Sequence, residues 1–513
     1  MNTRIHLLYY MTFVLSILIL KSASAKAYEK KSDKPNIIII YTDQQRYNTI
    51  HSLGNEIIKT PNLDKLVEEG VAFTNAFVTS PVCTPSRWSL HTGTYTTTHK
   101  TYSNHHVSAE CQKTSLPEEL KKLGYKTVLL GKNHCFLSSE QMDILEEMHN
   151  NKNLAEDKRS ADKAMPWAVK DDDTHQLVNR AIEIFSLKGN EPVFIWLSFL
   201  YPHTPFLCPE PFFSMYNETV IPKPVIEPKG LESAGKPFRQ QFHQINNNNV
   251  LPYNEEKIMR MKRNYYGMIS MVDTEIGRLI RFLEENKLRD NTLIVFTSDH
   301  GDYQGDHGLF TKSPAMYDCL TRVPLIFSWK GHINEKQISN ALVSSVDIMP
   351  TILNLINVDI PSQVQGISLK PILEGKNESS GRKYVFSEYG IPGNPILKNE
   401  LAERMPDYKV NPIEFDKGLP WEANPVALAG RIRMIRSKEY KLVEEIGGTN
   451  EFYDLKTDPN ELNNLYADEQ YKSIQSEMLN ALHNWKNNLP GIELDTVPMG
   501  ENNFSDYLKK RNK

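Results

Sequence analysis

The chain has 513 residues, 40% of them hydrophobic and 24% charged, with a formal net charge of −4. That length suits about two to four average domains, or one large domain with a smaller companion, in an ordinary globular balance. A mildly acidic chain gives no support to a nucleic-acid partner.

Residues 1–25 read as a secretory signal peptide. Arg4 precedes an apolar run over 7–20, and Ala23-Ser24-Ala25 supplies small residues for cleavage near Ala25. The run is too short to span a bilayer comfortably, and no other segment is long and apolar enough to do so. No cysteine stands near the cleavage site to carry a lipid. Export to the periplasm or the medium is expected, without a stable membrane anchor; an uncleaved signal anchor is the alternative.

Beyond it, short β-branched or aromatic runs at 36–41, 126–130, 193–199, 293–297 and 324–328 predict strands buried on both faces. Amphipathic stretches at 62–69, 116–123 and 265–286 lie between them. In the last, Met268, Met271, Ile276, Leu279, Ile280 and Leu283 recur at roughly helical spacing. The alternation predicts an α/β sandwich, a large and mostly parallel sheet with helices on both faces. From about residue 382 the texture changes. Closely spaced runs at 385–388, 431–435, 440–443 and 451–453, with a Gly447-Gly448 turn, predict a small antiparallel sheet. A final helix over 469–488 is expected to pack on it. Residues 26–381 then form the larger domain and 382–513 a C-terminal subdomain. Stretches 201–253 and 391–425 read as long loops, with Trp421 in the second a candidate stacking platform for a sugar.

Polar residues cluster just past the predicted strands. Asp43 and Gln44 follow the first, Asp299 and His300 the strand at 293–297. Ligands gather beyond the carboxyl ends of parallel strands, so both pairs can meet at one site, where their oxygens suit a hard cation. The plainer reading is that a strand-ending Asp caps a helix or closes a turn. Lys132 and His134 follow the strand at 126–130, and residues i and i+2 of an extended segment share a side. His203 follows the strand at 193–199, and an imidazole near neutral pKa suits proton transfer. The five cysteines, Cys83, Cys111, Cys135, Cys208 and Cys319, lack C-x-x-C spacing, which removes zinc-ribbon and thioredoxin-like readings. Their odd number leaves one thiol to explain in an exported protein.

Cys83 supplies the explanation. Cys83-Thr84-Pro85-Ser86-Arg87, followed by Thr92-Gly93, resembles the signature of the type I sulfatases, whose cysteine is oxidised after translation to formylglycine. Thr60-Pro61-Asn62-Leu63-Asp64, Tyr265-Tyr266-Gly267-Met268, Ser298-Asp299-His300-Gly301-Asp302, Val346-Asp347-Ile348-Met349-Pro350 and Phe452-Tyr453-Asp454-Leu455 resemble further blocks of that family. The resemblance implies an alkaline-phosphatase-like fold. It implies one Ca²⁺ held by Asp43, Gln44, Asp299, His300 and the modified Cys83. Many members carry a second Asp in place of Gln44 and Asn in place of His300. Gln keeps an oxygen but loses a charge, and an imidazole nitrogen is a softer donor than Ca²⁺ favours.

By the same resemblance, Arg87 holds the formylglycine diol, and Lys132 and Lys312 contact the sulfate. His134 becomes the base that releases sulfate and His203 the acid for the leaving alcohol. One hydroxyl of a formylglycine hydrate attacks sulfur, and the other expels sulfate by collapsing to the aldehyde. His105-His106 lies a short way past the signature, near enough in the chain to reach the substrate. Expected partners are a sulfated carbohydrate, such as algal ulvan or a glycosaminoglycan, and a formylglycine-generating maturation enzyme. One alternative is a phosphonate or phosphate ester hydrolase with the same nucleophile, which a signal peptide disfavours. The other is a non-catalytic carbohydrate-binding relative, which has no need of Cys83, Arg87, Lys132, His134, His203 and Lys312 together.

Overall fold

The computed structural model describes residues 34–104, 114–147, 163–250, 254–390 and 430–490, the side chains of 245–250 excepted. The signal peptide, His105, His106, Cys111 and the 391–425 stretch with Trp421 lie outside the described residues.

The large sheet contains β1 (Asn36–Thr42), β2 (Val71–Phe77), β3 (Lys126–Gly131), β4 (Ile144–Glu146), β5 (Val193–Ser198), β6 (Thr292–Ser298), β7 (Arg322–Ser328) and β8 (Gln337–Ser344). Their spatial order is β4-β3-β5-β1-β6-β7-β2-β8. The main helices are α1 (Pro61–Glu68), α2 (Cys83–Thr92), α3 (Leu116–Lys122), α4 (Asp173–Leu187), α5 (Phe238–Val250), α6 (Glu255–Glu285), α7 (Ile348–Leu355) and α8 (Lys472–Asn487).

β1 explains the layering. Successive side chains of a strand point to opposite faces, and here both sets are apolar. Ile38 and Ile40 enter one core with Leu63 and Leu66 of α1, Leu177 and Val178 of α4, and Met268 and Ile276 of α6. Ile37, Ile39 and Tyr41 enter the other, with Leu90 of α2, Leu116 and Leu120 of α3, and Ile352 of α7. A strand this apolar requires cover on both sides, and helices supply it. The layers are also joined by polar contacts. Asp273 on α6 accepts from the backbone N–H groups of Asn62 (3.0 Å) and Leu63 (2.7 Å), satisfying donors at the start of α1.

The large sheet is mostly parallel, as expected, with β7 running antiparallel to both β6 and β2. The β6–β7 connection returns as a loop with short turns instead of a crossover helix, which suits antiparallel pairing. Two other expectations need correction. The stretch 201–253 is not all loop, since it contains α5 and a short helix at Gly230–Ser233. Asn has weak helix propensity, so 246–249 hides α5 from a sequence reading. Tertiary ties override this: Arg239 bridges Glu445 (2.5 Å) and Glu451 (2.5 Å) in the C-terminal sheet. α6 also starts earlier than predicted, at Glu255, where Asn254 caps Lys257 N (3.0 Å).

The second sheet, antiparallel, joins β9 (Val385–Tyr389), β10 (Ile432–Arg436), β11 (Tyr440–Glu445) and β12 (Glu451–Asp454) in the order β12-β11-β10-β9. Met478 and Leu482 of α8 pack on Ile435, Leu442 and Phe452. Burying each such side chain contributes about 1.5–3 kcal/mol. Among the described residues, no helix is long and apolar enough to cross a membrane, and Cys135, Cys208 and Cys319 are buried free thiols.

Candidate active site

β3, β5, β1 and β6 are neighbours and all parallel, so their carboxyl ends open along one edge. Lys132, Ser198, the Asp43-Gln44 pair and the Asp299-His300 pair stand at those four ends. Cys83 opens α2 and so lies at the positive end of a helix dipole. Its Sγ is 2.8 Å from Lys312 Nζ, 3.2 Å from His300 Nε2, 3.6 Å from Lys132 Nζ and 3.8 Å from Asp43 Oδ1. Lys132 Nζ also donates to Asp43 Oδ2. Gly301 permits the tight backbone path just past His300, since a Cβ there would come 2.0 Å from the Cys319 carbonyl oxygen.

Arg87 sits one turn along α2, with 0% of its side chain exposed. Its Nε donates to Asp299 Oδ2 (2.9 Å) and Nη2 to Asp43 Oδ2 (3.0 Å). Nη1 donates to Ser198 Oγ (2.7 Å) and to the Lys132 carbonyl (3.3 Å), and the guanidinium lies 4.8 Å from the Tyr41 ring centre. These contacts are those of a brace for the two carboxylates, and they occupy most of the donors that the diol-holding role would call on.

The cations decide the charge state of the cluster. Burial would raise the Asp43 carboxyl, yet Lys132, His203, Lys312 and Arg87 hold it well below the ordinary carboxylate range. Burial and Asp43 push the Cys83 thiol up, but Lys132, Lys312 and His300 prevail and keep it well below its usual value. Asp299 goes the other way: burial and Asp43 raise it, against His300 and Arg87.

The histidines divide. His203 Nδ1 is 2.7 Å from the Thr204 carbonyl, which can only accept, so Nε2 of the neutral ring is an acceptor 3.9 Å from Asp43 Oδ1. Burial and Lys312 push this ring down to about 3, while 26% side-chain exposure leaves it reachable from solvent. His300 Nδ1 likewise donates to the Gly301 carbonyl (2.7 Å), turning Nε2 to the cluster, 3.6 Å from Asp299 Oδ1. Burial opposes its protonation, but Asp299 raises it above the ordinary imidazole range. His134 is not joined to the cluster by any described hydrogen bond. β3 ends at Gly131, and His134 falls in the turn beyond, its Nδ1 buried without a partner. The same-side argument for Lys132 and His134 stops where the extended segment stops.

The donor set fits a divalent cation. Ligand atoms of Asp43, Cys83, Asp299 and His300 all lie within 4.8 Å of one another. The Gln44 amide donates through Nε2 to Asp302 Oδ2 and turns Oε1 to Lys312 Nζ (3.2 Å). The Cys83 Sγ is the softest donor of the set, and an oxygen at residue 83 in its place would make the set harder and better suited to Ca²⁺. Ser198 and Asp302 are absent from the sequence-derived site. Each had a signal: a serine ending an apolar strand, and a second acid three residues after Asp299.

Comparison with known proteins follows the same lines. The Sulfatase family profile matches residues 35–358, and that of the N-sulphoglucosamine sulphohydrolase C-terminal region matches 305–418 and 420–488. An arylsulfatase of Clostridium perfringens is 28% identical over 485 residues, covering 86% of this chain and 92% of its own. An N-acetylglucosamine-6-O-sulfatase of Bacteroides thetaiotaomicron is 26% identical over 552 residues, covering 95% and 93%. The phosphonate monoester hydrolase of Agrobacterium radiobacter superposes with a TM-score of 0.72 at 24% identity, covering 88% of this chain and 96% of the other. At that identity the superposition speaks for the fold alone.

Proposed function

The chain belongs to the sulfatase family and has its alkaline-phosphatase-like fold, and from that premise we propose an exported sulfatase, dependent on formylglycine and Ca²⁺, that hydrolyses carbohydrate sulfate esters. The observation that carries the reading is the placement of residue 83: its side-chain sulfur lies 3.6 Å from the Lys132 ammonium group, 2.8 Å from that of Lys312, and beside Asp43, Asp299 and His300. That is a cradle for a nucleophile that must meet an anion. The domain division at 381/382 and the signal peptide over 1–25 belong to the same reading.

In the proposed cycle one hydroxyl of the hydrated residue 83 attacks sulfur. Lys132 and Lys312 offset charge on the transferring group, while Arg87 keeps the Asp43 and Asp299 carboxylates in place. The S–O bond to the sugar breaks, and the departing oxygen takes a proton from His203. A sulfate anion at the cradle counters the Lys312 field and so raises the His203 pKa toward that task. By the family resemblance alone, His134 then takes the proton of the second hydroxyl, the C–O bond to sulfate breaks, and water rehydrates the aldehyde. A calcium ion held by Asp43, Gln44, Asp299, His300 and residue 83 would supply positive charge to the sulfate oxygens and lower the pKa of the diol.

The carbohydrate target rests on the relative named as an N-acetylglucosamine-6-O-sulfatase and on the export reading. The test is sulfate release by matured protein from N-acetylglucosamine-6-sulfate, glycosaminoglycan disaccharides and ulvan oligosaccharides, with a phosphonate monoester in parallel. Release from at least one sugar is expected. Faster cleavage of the phosphonate than of every sulfate would favour the phosphonate-hydrolase reading. Binding of sugars without any turnover would favour a recognition module.

A further inference from the structure

Gln44 occupies a position where an amide can be wrong by half a turn. Facing the cluster with Oε1 it offers an oxygen; facing it with Nε2 it offers two N–H groups, which repel a cation and the Lys312 ammonium alike. On the cluster side Lys312 Nζ, 3.2 Å from Oε1, favours the first state. What lies on the other side of the amide decides whether that state is locked.

That side is Asp302, wholly buried, two residues past His300. One carboxylate oxygen, Oδ2, accepts from Gln44 Nε2. The other, Oδ1, accepts from Gln304 N (2.7 Å) and Gln304 Nε2 (2.9 Å). Every neighbour of this carboxylate is thus a donor, and a flipped Gln44 would set Oε1 against Oδ2. Both neighbours also hold left-handed backbone, with φ of 72° at Gln44 and 51° at Gln304. Non-glycine residues keep that conformation only where their surroundings enforce it. Gln44 is further pinned by its backbone N–H, which donates to Asp299 Oδ1 (2.9 Å), and by its carbonyl, which accepts from Tyr265 Oη (2.6 Å).

We propose that Asp302 is a positioning residue that locks the Gln44 amide with its oxygen toward residue 83 and Lys312, so that a Gln–Asp pair does here what one carboxylate ligand does elsewhere. The proposal rests on the calcium site of the proposed function. It gives Asp302 a duty through Gln44 and no contact with substrate.

The chemistry makes a crossed test possible. In Asp302→Asn, the side-chain oxygen satisfies the two Gln304 donors, so the new NH₂ faces residue 44. Gln44 must then flip to present Oε1 to it, and its own NH₂ turns into the site. In Gln44→Glu, two carboxylates confront each other across the former hydrogen bond. In the double variant, the new amide at position 302 donates to one oxygen of the new carboxylate at position 44. The second oxygen of that carboxylate then faces the cluster, restoring an oxygen donor.

Calcium affinity of apo protein is measured by titration calorimetry, with the crystal structure of the variants as a second readout. Asp302→Asn is expected to bind Ca²⁺ about 10- to 100-fold more weakly than wild type, the usual effect of losing an outer partner of a ligand. The double variant is expected to return to within about threefold of wild type or better, a rescue that a merely structural role for Asp302 does not produce. If Asp302→Asn alone fails to fold, the crystal structure of calcium-loaded wild type still decides: Gln44 Oε1 on the ion with Nε2 on Asp302 supports the proposal, and the reverse orientation overturns it. A double variant no tighter than Asp302→Asn also overturns it. Wild-type protein that binds no Ca²⁺ overturns the calcium reading itself, and the pairing with it.

Discussion

Arg87 Nη2 donates to Asp43 Oδ2 at 3.0 Å, tying the helix that carries residue 83 to the end of the central strand with both side chains fully buried. The same guanidinium reaches Asp299, so one cation spans the two carboxylates and their strands. Removing it leaves buried negative charge without its partner, which typically costs about 3–5 kcal/mol. Arg87→Ala is expected to lose that much stability in denaturant unfolding, along with activity. Arg87→Lys keeps the charge but loses the fork that reaches Asp43, Asp299 and Ser198 together. It is expected to recover part of the stability and little of the turnover. A loss below about 1 kcal/mol for Arg87→Ala would contradict the bracing role.

Lys312 stands nearest to the Cys83 sulfur, 2.8 Å away. In the proposed cycle it offsets charge that grows on the transferring group. Lys312→Ala is expected to lower kcat by about 100- to 1000-fold, the usual effect of removing one oriented donor from a developing anion. Steady-state kinetics on a sulfated sugar would show it. A rise in KM with kcat unchanged would instead assign Lys312 to substrate binding.

Gly301 carries a steric requirement that side-chain chemistry does not reveal. A methyl group there would lie 2.0 Å from the Cys319 carbonyl oxygen. The backbone must move, and Asp299 and His300 move with it. Gly301→Ala is expected to weaken calcium binding and activity while adding only one carbon, and overpacking of this kind costs about 1–3 kcal/mol. Unchanged melting temperature and activity would contradict the close approach.

A second buried ionic centre joins the two sheets. Asp318 accepts from Arg436 Nη2 (2.9 Å) on β10 and from Lys441 Nζ (2.6 Å) on β11. Burial would raise its carboxyl, but Arg436 and Lys441 hold it far below the ordinary range. A depressed carboxylate stabilises the fold above its unfolded pKa of about 4, and that contribution is lost as pH falls toward the folded value. Asp318→Asn is therefore expected to destabilise most at neutral pH, by about 3–5 kcal/mol. The gap to wild type should narrow below about pH 4. Unfolding curves taken across that range test it, and a gap independent of pH would contradict it.

The sequence made legible what depends on local pattern. The unbroken apolar run of β1 announced a strand buried on both faces, and Asp43, Gln44, Asp299 and His300 do stand at strand ends along one edge of the sheet; their role as ligands came from the family resemblance. What stayed hidden depends on partners distant in the chain. The antiparallel direction of β7 is set by how residues 299–321 fold back, which no periodicity encodes. α5 contains an asparagine run that argues against a helix until Glu445 and Glu451 bind Arg239. His134 looked like a neighbour of Lys132 on an extended segment, but the strand ends at Gly131. Ser198 and Asp302 act through Arg87 and Gln44, and a role at second hand leaves no motif of its own.

The most direct test of the account is the mass of the tryptic peptide spanning residues 66–87, taken from protein matured in its own cell. Conversion of Cys83 to formylglycine replaces a CH₂SH side chain with CHO, and a loss of about 18 Da relative to the unmodified peptide is expected. A peptide at the unmodified cysteine mass, in protein that releases sulfate from a sugar, would contradict the assignment of residue 83 as a formylglycine nucleophile.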